Sequence, residues 1–232
     1  QFQAQAFNEL LPPGGPVRTA VMGELTREKQ AQAERVKEFM NYYITNVMED
    51  YTPEFDQMLF YLPLAGSTFK KVYFDATIDR AVSKFVPAED LVVPYTATDL
   101  DTCPNVTQVV KMPLNDVRKR QVTGFYRDIQ VLPSQGEEAT DIAQAMEKIE
   151  GVQPNMIDYD CTLLECHVDL DLPGFEEMGE DGEPTGIKIP YVVTISEDNG
   201  QVLSVRRNYN EEDELKRKIQ YFVHYKFLPG FG

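Results

Sequence analysis

The segment Cys161-Thr162-Leu163-Leu164-Glu165-Cys166-His167 places two thiols and an imidazole within one short run, and these are the donor types that hold zinc. Polar and apolar residues alternate over Asp158–Leu172, so the run is expected to be a strand. On a strand, alternate side chains face opposite sides, which puts Cys161 and His167 on one face and Cys166 on the other. No CxxC pair exists elsewhere to complete a structural zinc site. Ordinary strand packing is the expectation for all three.

The other chemical candidates fare no better. Asp169, Asp171, Glu176, Glu177, Glu180, Asp181 and Glu183 are hard oxygen donors, but the regular carboxylate spacing around a central glycine that builds a calcium loop is missing. A solvated acidic loop over 175–186 is expected, mobile by its glycine content, with a charged contact surface as an alternative. His167 and His224 are the only histidines, and GxSxG is absent. Ser67 and Thr68 have the right type for nucleophiles but read as the polar start of a strand. Neither GxxxxGK[ST] nor GxGxxG occurs, and Gly14-Gly15, set between prolines, reads as a hinge. We therefore assign no catalytic, cofactor-binding or metal-binding residue, and expect no cofactor and no enzyme.

Three basic clusters remain: Arg118-Lys119-Arg120, Arg206-Arg207 and Lys216-Arg217-Lys218. Each is short, so solvated faces or ion-pair surfaces are expected, with subunit or phosphate contacts as alternatives. The interleaved run Phe69-Lys70-Lys71-Val72-Tyr73-Phe74 has the mix that stacks on single strands. It equally suits a sheet packed on one side and paired across a subunit interface, which we favour.

Charge limits the partners further. The 232 residues carry 38 acidic and 22 basic side chains, a net charge of −16. Such a surface repels nucleic acid over most of its extent, leaving a local basic patch or a non-sticking DNA conduit. Three cysteines, Cys103, Cys161 and Cys166, without framework spacing argue against a secreted disulfide scaffold and fit a reducing compartment. No run approaches a membrane span, and Gln1–Leu10 lacks the basic and apolar regions of a signal peptide. The start at Gln1 without Met and the end at Pro229-Gly230-Phe231-Gly232 read as cut ends, so a fragment is expected.

The elements that must position these residues divide into helices first and strands after. A short helix is expected within residues 1–11, ended by Pro12-Pro13-Gly14-Gly15-Pro16. Thr26 can cap a second helix, with Val36, Phe39/Met40, Tyr43/Ile44 and Val47/Met48 at helical spacing. Thr52-Pro53 starts a third, whose apolar face is Phe55, Met58, Leu59 and Leu62 and which stops at Pro63 and Gly66. From Ser67 the period changes to two, giving a hairpin that returns over Ala81–Val86. Val106–Met112 reads as a strand, and Pro113–Thr123 as a helix with Leu114, Val117 and Val122 inward. Glu137–Ile149 reads as an amphipathic helix on Ile142, Ala145/Met146 and Ile149. Asp158–Leu172 and Ile187–Ile195 alternate, and Asn199-Gly200 turns the second into Gln201–Arg207. Asn210 caps a short helix with acidic residues first and basic last, and Tyr221–Phe227 is a final strand. The whole predicts an α+β fold, long amphipathic helices on antiparallel hairpins or a meander. Its expected segments are a helical 1–65, a first β-rich part over 66–130 and a second over 131–232.

Several motifs, each weak alone, together resemble the portal proteins of short-tailed (podovirus), P22-like bacteriophages. They are Pro13-Gly14-Gly15-Pro16, Gln32-Ala33-Glu34-Arg35-Val36-Lys37, Asp56 through Ser67, Phe85-Val86-Pro87-Ala88-Glu89-Asp90, Asp101-Thr102-Cys103-Pro104 and Gly124-Phe125-Tyr126-Arg127-Asp128. Phe227 through Gly232 looks like the lead-in to the stem of such proteins. The resemblance covers most of the chain, more thinly over 131–157 and 173–186. It implies the wing region of a subunit in a ring, twelve-membered when full length, at one capsid vertex of the virion and assembled in the host cytoplasm. The implied partners are other copies of the chain, capsid and scaffolding proteins, the terminase motor, a tail adaptor and double-stranded DNA in the channel, with no membrane. The motor and tail contacts are expected mostly outside this stretch. Two other classes stay open: a metal-binding enzyme using the acidic loop with Cys161 and His167, and a non-portal viral or bacterial adaptor that binds proteins through its sheets.

Overall fold

The computed structural model of the protein describes residues 2–76, 78–132, 160–179 and 181–227. The helix expected over Glu137–Ile149, Glu180 of the acidic loop and the carboxy end after Phe227 lie outside the described residues. The fold is α+β, with antiparallel sheets throughout. No helix among the described residues is long and apolar enough to cross a membrane.

Contacts group the chain into two units: residues 1–88 with 221–232, and residues 89–220. These boundaries differ from those expected at 65/66 and 130/131. The reason is the last strand, which returns to the hairpin that follows the helices and so closes the first unit across a long excursion.

In the first unit, α1 (Phe2–Leu10), α2 (Arg27–Tyr42) and α3 (Tyr51–Ala65) precede a sheet of order β2-β1-β8. Its strands are β1 (Ser67–Asp75), β2 (Arg80–Pro87) and β8 (Phe222–Lys226). The Thr26 side chain accepts from the Lys29 N–H at 3.3 Å and caps α2 as expected. A π-helical turn, Tyr43–Val47, then leads to α3. Asp50, not Thr52, precedes α3, which sets Pro53 in the first turn, where its missing N–H costs nothing. Pro63 does not stop the helix. It sits in the last turn, and Gly66 terminates it in the left-handed region at φ 74°, its N–H bonding Leu62 O at 2.9 Å.

Phe55, Met58, Leu59 and Leu62 are buried, as their spacing predicts. Phe55, Met58 and Leu59 pack with Phe7 and Leu11 and with Phe85 and Tyr225 of the sheet. The helices do not all pack on sheets, however. No residue of α2 is buried, and Phe39 is 60% exposed.

The second unit is a meander of order β3-β4-β5-β6-β7. Its strands are Leu91–Val92, Asn105–Pro113, Asp160–Leu170, Ile189–Ser196 and Val202–Arg207, and α4 (Leu114–Val122) follows β4 directly. The Glu197–Gly200 turn joins β6 to β7, with Gly200 at φ 66°, as the Asn-Gly pair predicts. One face of the sheet carries a core of Met112, Val117, Tyr126, Val131, Cys161, Leu163 and Leu203. The other buries Ile189, Tyr191 and Val193 against Cys166, Val168 and Leu170.

Two expectations fail here. On α4 only Val117 and Gln121 are buried, while Leu114 is exposed and Val122 is 87% exposed. The helix buries one narrow line, Val117 and Gln121, and turns Leu114 and Val122 away from it. Residues after Asn210 form turns, not a helix. The Asp213 carboxylate accepts from the N–H groups of Leu215 and Arg217 at 3.2 and 3.1 Å, and Lys216 sits in the left-handed region at φ 47°. A side chain that captures backbone donors this way competes with the helix.

Candidate functional site

The structure gathers basic and aromatic side chains of the second unit around Phe125. The chain leaving α4 is fixed at each step. Gly124, at φ 75°, donates its N–H to Gln121 O at 3.0 Å, Tyr126 N–H bonds Arg120 O at 3.0 Å, and Arg127 N–H bonds Leu203 O of β7 at 2.8 Å. Buried Gln121 completes the clamp. Its amide donates to Arg127 O at 3.1 Å and Ile129 O at 2.7 Å while accepting from Arg118 at 2.9 Å. Tyr126 turns into the core, and Phe125 is held outward.

Two arginines from distant parts of the sequence converge on that ring. The Arg206 guanidinium lies 4.2 Å from the Phe125 centroid, and Arg120 lies 5.6 Å from it while donating to Tyr126 Oη at 3.1 Å. A guanidinium over a ring gains cation–π energy and keeps its N–H edge free for a planar anion. Residues 124–127 and 202–206 together line an open groove of about 520 Å³. Among the described residues nothing closes it as a small-molecule site would be closed.

The three basic clusters thus separate by what they touch. Arg118 pairs with Asp128 at 3.0 Å, Lys119 with Asp116 at 2.8 Å, Arg207 with Glu211 at 3.3 Å and Arg217 with Asp213 at 2.9 Å. Lys216 pairs with Glu177, and Lys218 donates to Cys103 O at 2.8 Å. Among the described residues no carboxylate pairs with Arg120, Arg127 or Arg206. Arg127 and Arg206 line the groove, and Arg120 lies against the Phe125 and Tyr126 rings. Sequence reasoning weighed Arg118–Arg120 and Arg206–Arg207 apart and missed Phe125 as their common anchor.

The metal candidates disperse. Cys161 belongs to the α4-side core and Cys166 to the opposite face, as alternation predicts. His167 is buried and bonded to Glu165 at 2.8 Å. Six residues along a strand separate Cys161 from His167 by roughly 20 Å, too far to share an ion. The acidic loop folds on itself, with Gly179 N–H on Glu183 O at 2.9 Å, Thr185 N–H on Glu177 O at 2.8 Å and a bridge between Met178 and Pro184. No group of three or more His, Cys, Asp or Glu side chains among the described residues is arranged to hold a metal.

The first unit holds two further polar sites. Ser67 Oγ and His224 Nε2 share a short hydrogen bond, with Phe69 stacked on the imidazole at 4.6 Å. Burial, aided by the Lys226 charge, pushes the His224 pKa down, which favours the neutral ring at pH 7. No carboxylate among the described residues orients it, which leaves the pair without the third member of a hydrolytic triad.

The second site is Lys70, 2% exposed on the sheet face beneath α3. Its ammonium lies 4.4 Å from the Tyr51 ring and 5.2 Å from that of Phe55, and Nζ has no hydrogen-bond partner. Burial pushes its pKa down to about 8, against the pull of Glu54 and Asp50. Around it runs an ion network. Glu54 accepts from Lys84 at 3.0 Å and from Phe85 N–H at 2.7 Å, and Asp50 binds Arg80 and, at 3.3 Å, Lys84. Burial raises the Asp50 carboxyl, but Arg80 and Lys84 outweigh it and hold the group below the usual carboxylate range. An amine this enclosed is out of reach of a substrate.

No protein-family model matches the chain, and no curated protein matches it.

Proposed function

We propose that the chain is a structural subunit of a phage portal ring, the head–tail connector at one capsid vertex, and not an enzyme. One observation carries this reading: α2 is a capped helix of 16 residues with an apolar stripe of Val36, Phe39 and Met40 and no buried residue. A stripe of this kind left open to water is the usual mark of a surface that another chain covers. Portal subunits spend their surface on neighbours in this way, and the sequence motifs of the preceding sections point to the same family. In the full-length ring of twelve, the chain meets further copies of itself, capsid and scaffolding proteins, the terminase motor and the tail adaptor. DNA passes through the channel during packaging and ejection, and the net charge of −16 favours sliding over sticking.

Negative-stain imaging of the full-length protein tests this. Rings with a central pore are expected. A full-length protein that stays monomeric overturns it.

A further inference from the structure

We infer that the Phe125 groove of one copy receives the acidic turn Glu211–Leu215 of a second copy, an end-to-end contact between two different surfaces of the same chain. The inference rests on the ring-subunit reading and adds to it the residues that would join neighbours.

The groove offers a definite chemistry. Arg206 lies over Phe125, Arg127 stands exposed at the groove wall, and among the described residues neither guanidinium meets a carboxylate. Two fork-shaped donors beside an apolar ring edge fit paired carboxylates next to an aliphatic side chain. On a chain of net charge −16, acidic segments are the abundant complement to two unpaired arginines.

The turn after β7 fits that description. Its backbone is fixed: Asn210 Oδ1 accepts from Glu212 N–H at 3.1 Å, and the Asp213 carboxylate holds Leu215 and Arg217. Glu211 and Asp213 are occupied by Arg207 and Arg217, but the Glu212 and Glu214 side chains are exposed and unpaired among the described residues. Leu215, beside them, is 77% exposed. A rigid turn thus presents two unpaired carboxylates and one exposed aliphatic side chain, against a groove with two guanidinium groups that meet no carboxylate and the part of the Phe125 ring that Arg206 leaves exposed. Because the two surfaces differ, each copy can give one and receive the other, the pattern that builds rings or filaments. An oligonucleotide is the weaker occupant, since the overall charge repels it and Arg206 already covers a face of the ring.

The test uses two neutralising variants in the complete protein, Arg127→Gln/Arg206→Gln and Glu212→Gln/Glu214→Gln. All four positions are exposed, and thermal melting checks that both variants fold. Sedimentation velocity at low salt should show wild-type self-association that weakens as salt rises. Each variant alone should associate about tenfold more weakly. An equimolar mixture should form heterodimers and nothing larger, because only one competent contact remains per pair. If wild type associates while both variants match it, the groove is not the contact and the ring reading survives. A monomeric wild type overturns both. Fluorescent oligothymidylate bound by wild type and lost in Arg127→Gln/Arg206→Gln assigns the groove to phosphodiesters and overturns the proposal.

Discussion

Lys70 and Arg206 both lie over aromatic rings at nearly equal distance, 4.4 Å from Tyr51 and 4.2 Å from Phe125, yet they do opposite things. Lys70 is a compact, strongly hydrated charge enclosed beneath α3, so its ring contacts only part-compensate the lost water. Arg206 is a broad, weakly hydrated cation at the surface, and its ring contact orients it without using its donors. The difference teaches that a cation–π contact has no function of its own. Burial decides whether it stabilises a core at a cost or prepares a charge for a partner.

The largest expected effect comes from removing what balances Lys70. Glu54→Ala deletes the acceptor for Phe85 N–H and Lys84 and leaves the buried ammonium with less compensation. A loss of about 3 kcal/mol is expected in urea unfolding. If the loss stays under about 1 kcal/mol, the network is screened like a surface one.

Lys70→Met should act the other way, since a well-packed apolar chain replaces an unpaired charge. A gain of about 1–3 kcal/mol is expected in the same measurement. Equal or lower stability would mean that the Tyr51 and Phe55 rings hold the ammonium better than its burial suggests.

The same residue sets a pH dependence. With the folded pKa near 8 and the unfolded one at 10.5, the unfolded chain binds more protons between these values. Stability therefore rises with pH from about 8 upward. Tyr51 and Tyr225, pushed up by burial, oppose this only above their ordinary value of 10.0, so pH 8 to 10 is the clean window. Lys70→Met should flatten the rise, and a rise that persists in the variant would assign it elsewhere.

The smallest effect belongs to Phe125→Ala. The ring is exposed, so stability should change by less than about 1 kcal/mol. Self-association should nonetheless weaken as it does in Arg127→Gln/Arg206→Gln, and combining the substitutions should cost less than their sum, because Arg206 loses its seat in either case.

Much of the fold was legible because its signals are local. Period two marked β1, β5 and β6, Thr26 marked a cap, and Asn199-Gly200 marked a hairpin. The groove was not legible, because Arg120 and Arg206 are neighbours only through the β4-β5-β6-β7 order and the clamp by Gln121. Lys70 was hidden for a related reason. Alternation placed it on a face, but only α3 packing made that face the covered one. Tyr51 and Phe55, spaced one helical turn apart with Glu54 between, are the signal that would have located it.

Asn41 gives α2 one further property. Its amide accepts from Val17 N–H at 2.9 Å and donates to Val17 O at 3.2 Å, copying a strand edge with a single side chain. Gly15, at φ 90°, lies so close that a Cβ there would sit 2.3 Å from Asn41 Oδ1. Only glycine leaves room for this latch. The helix with the bare apolar stripe is thereby tied to its leading arm within one chain. A partner that covers Val36 and Phe39 meets a helix whose freedom was already surrendered on folding, and association has that much less entropy to overcome.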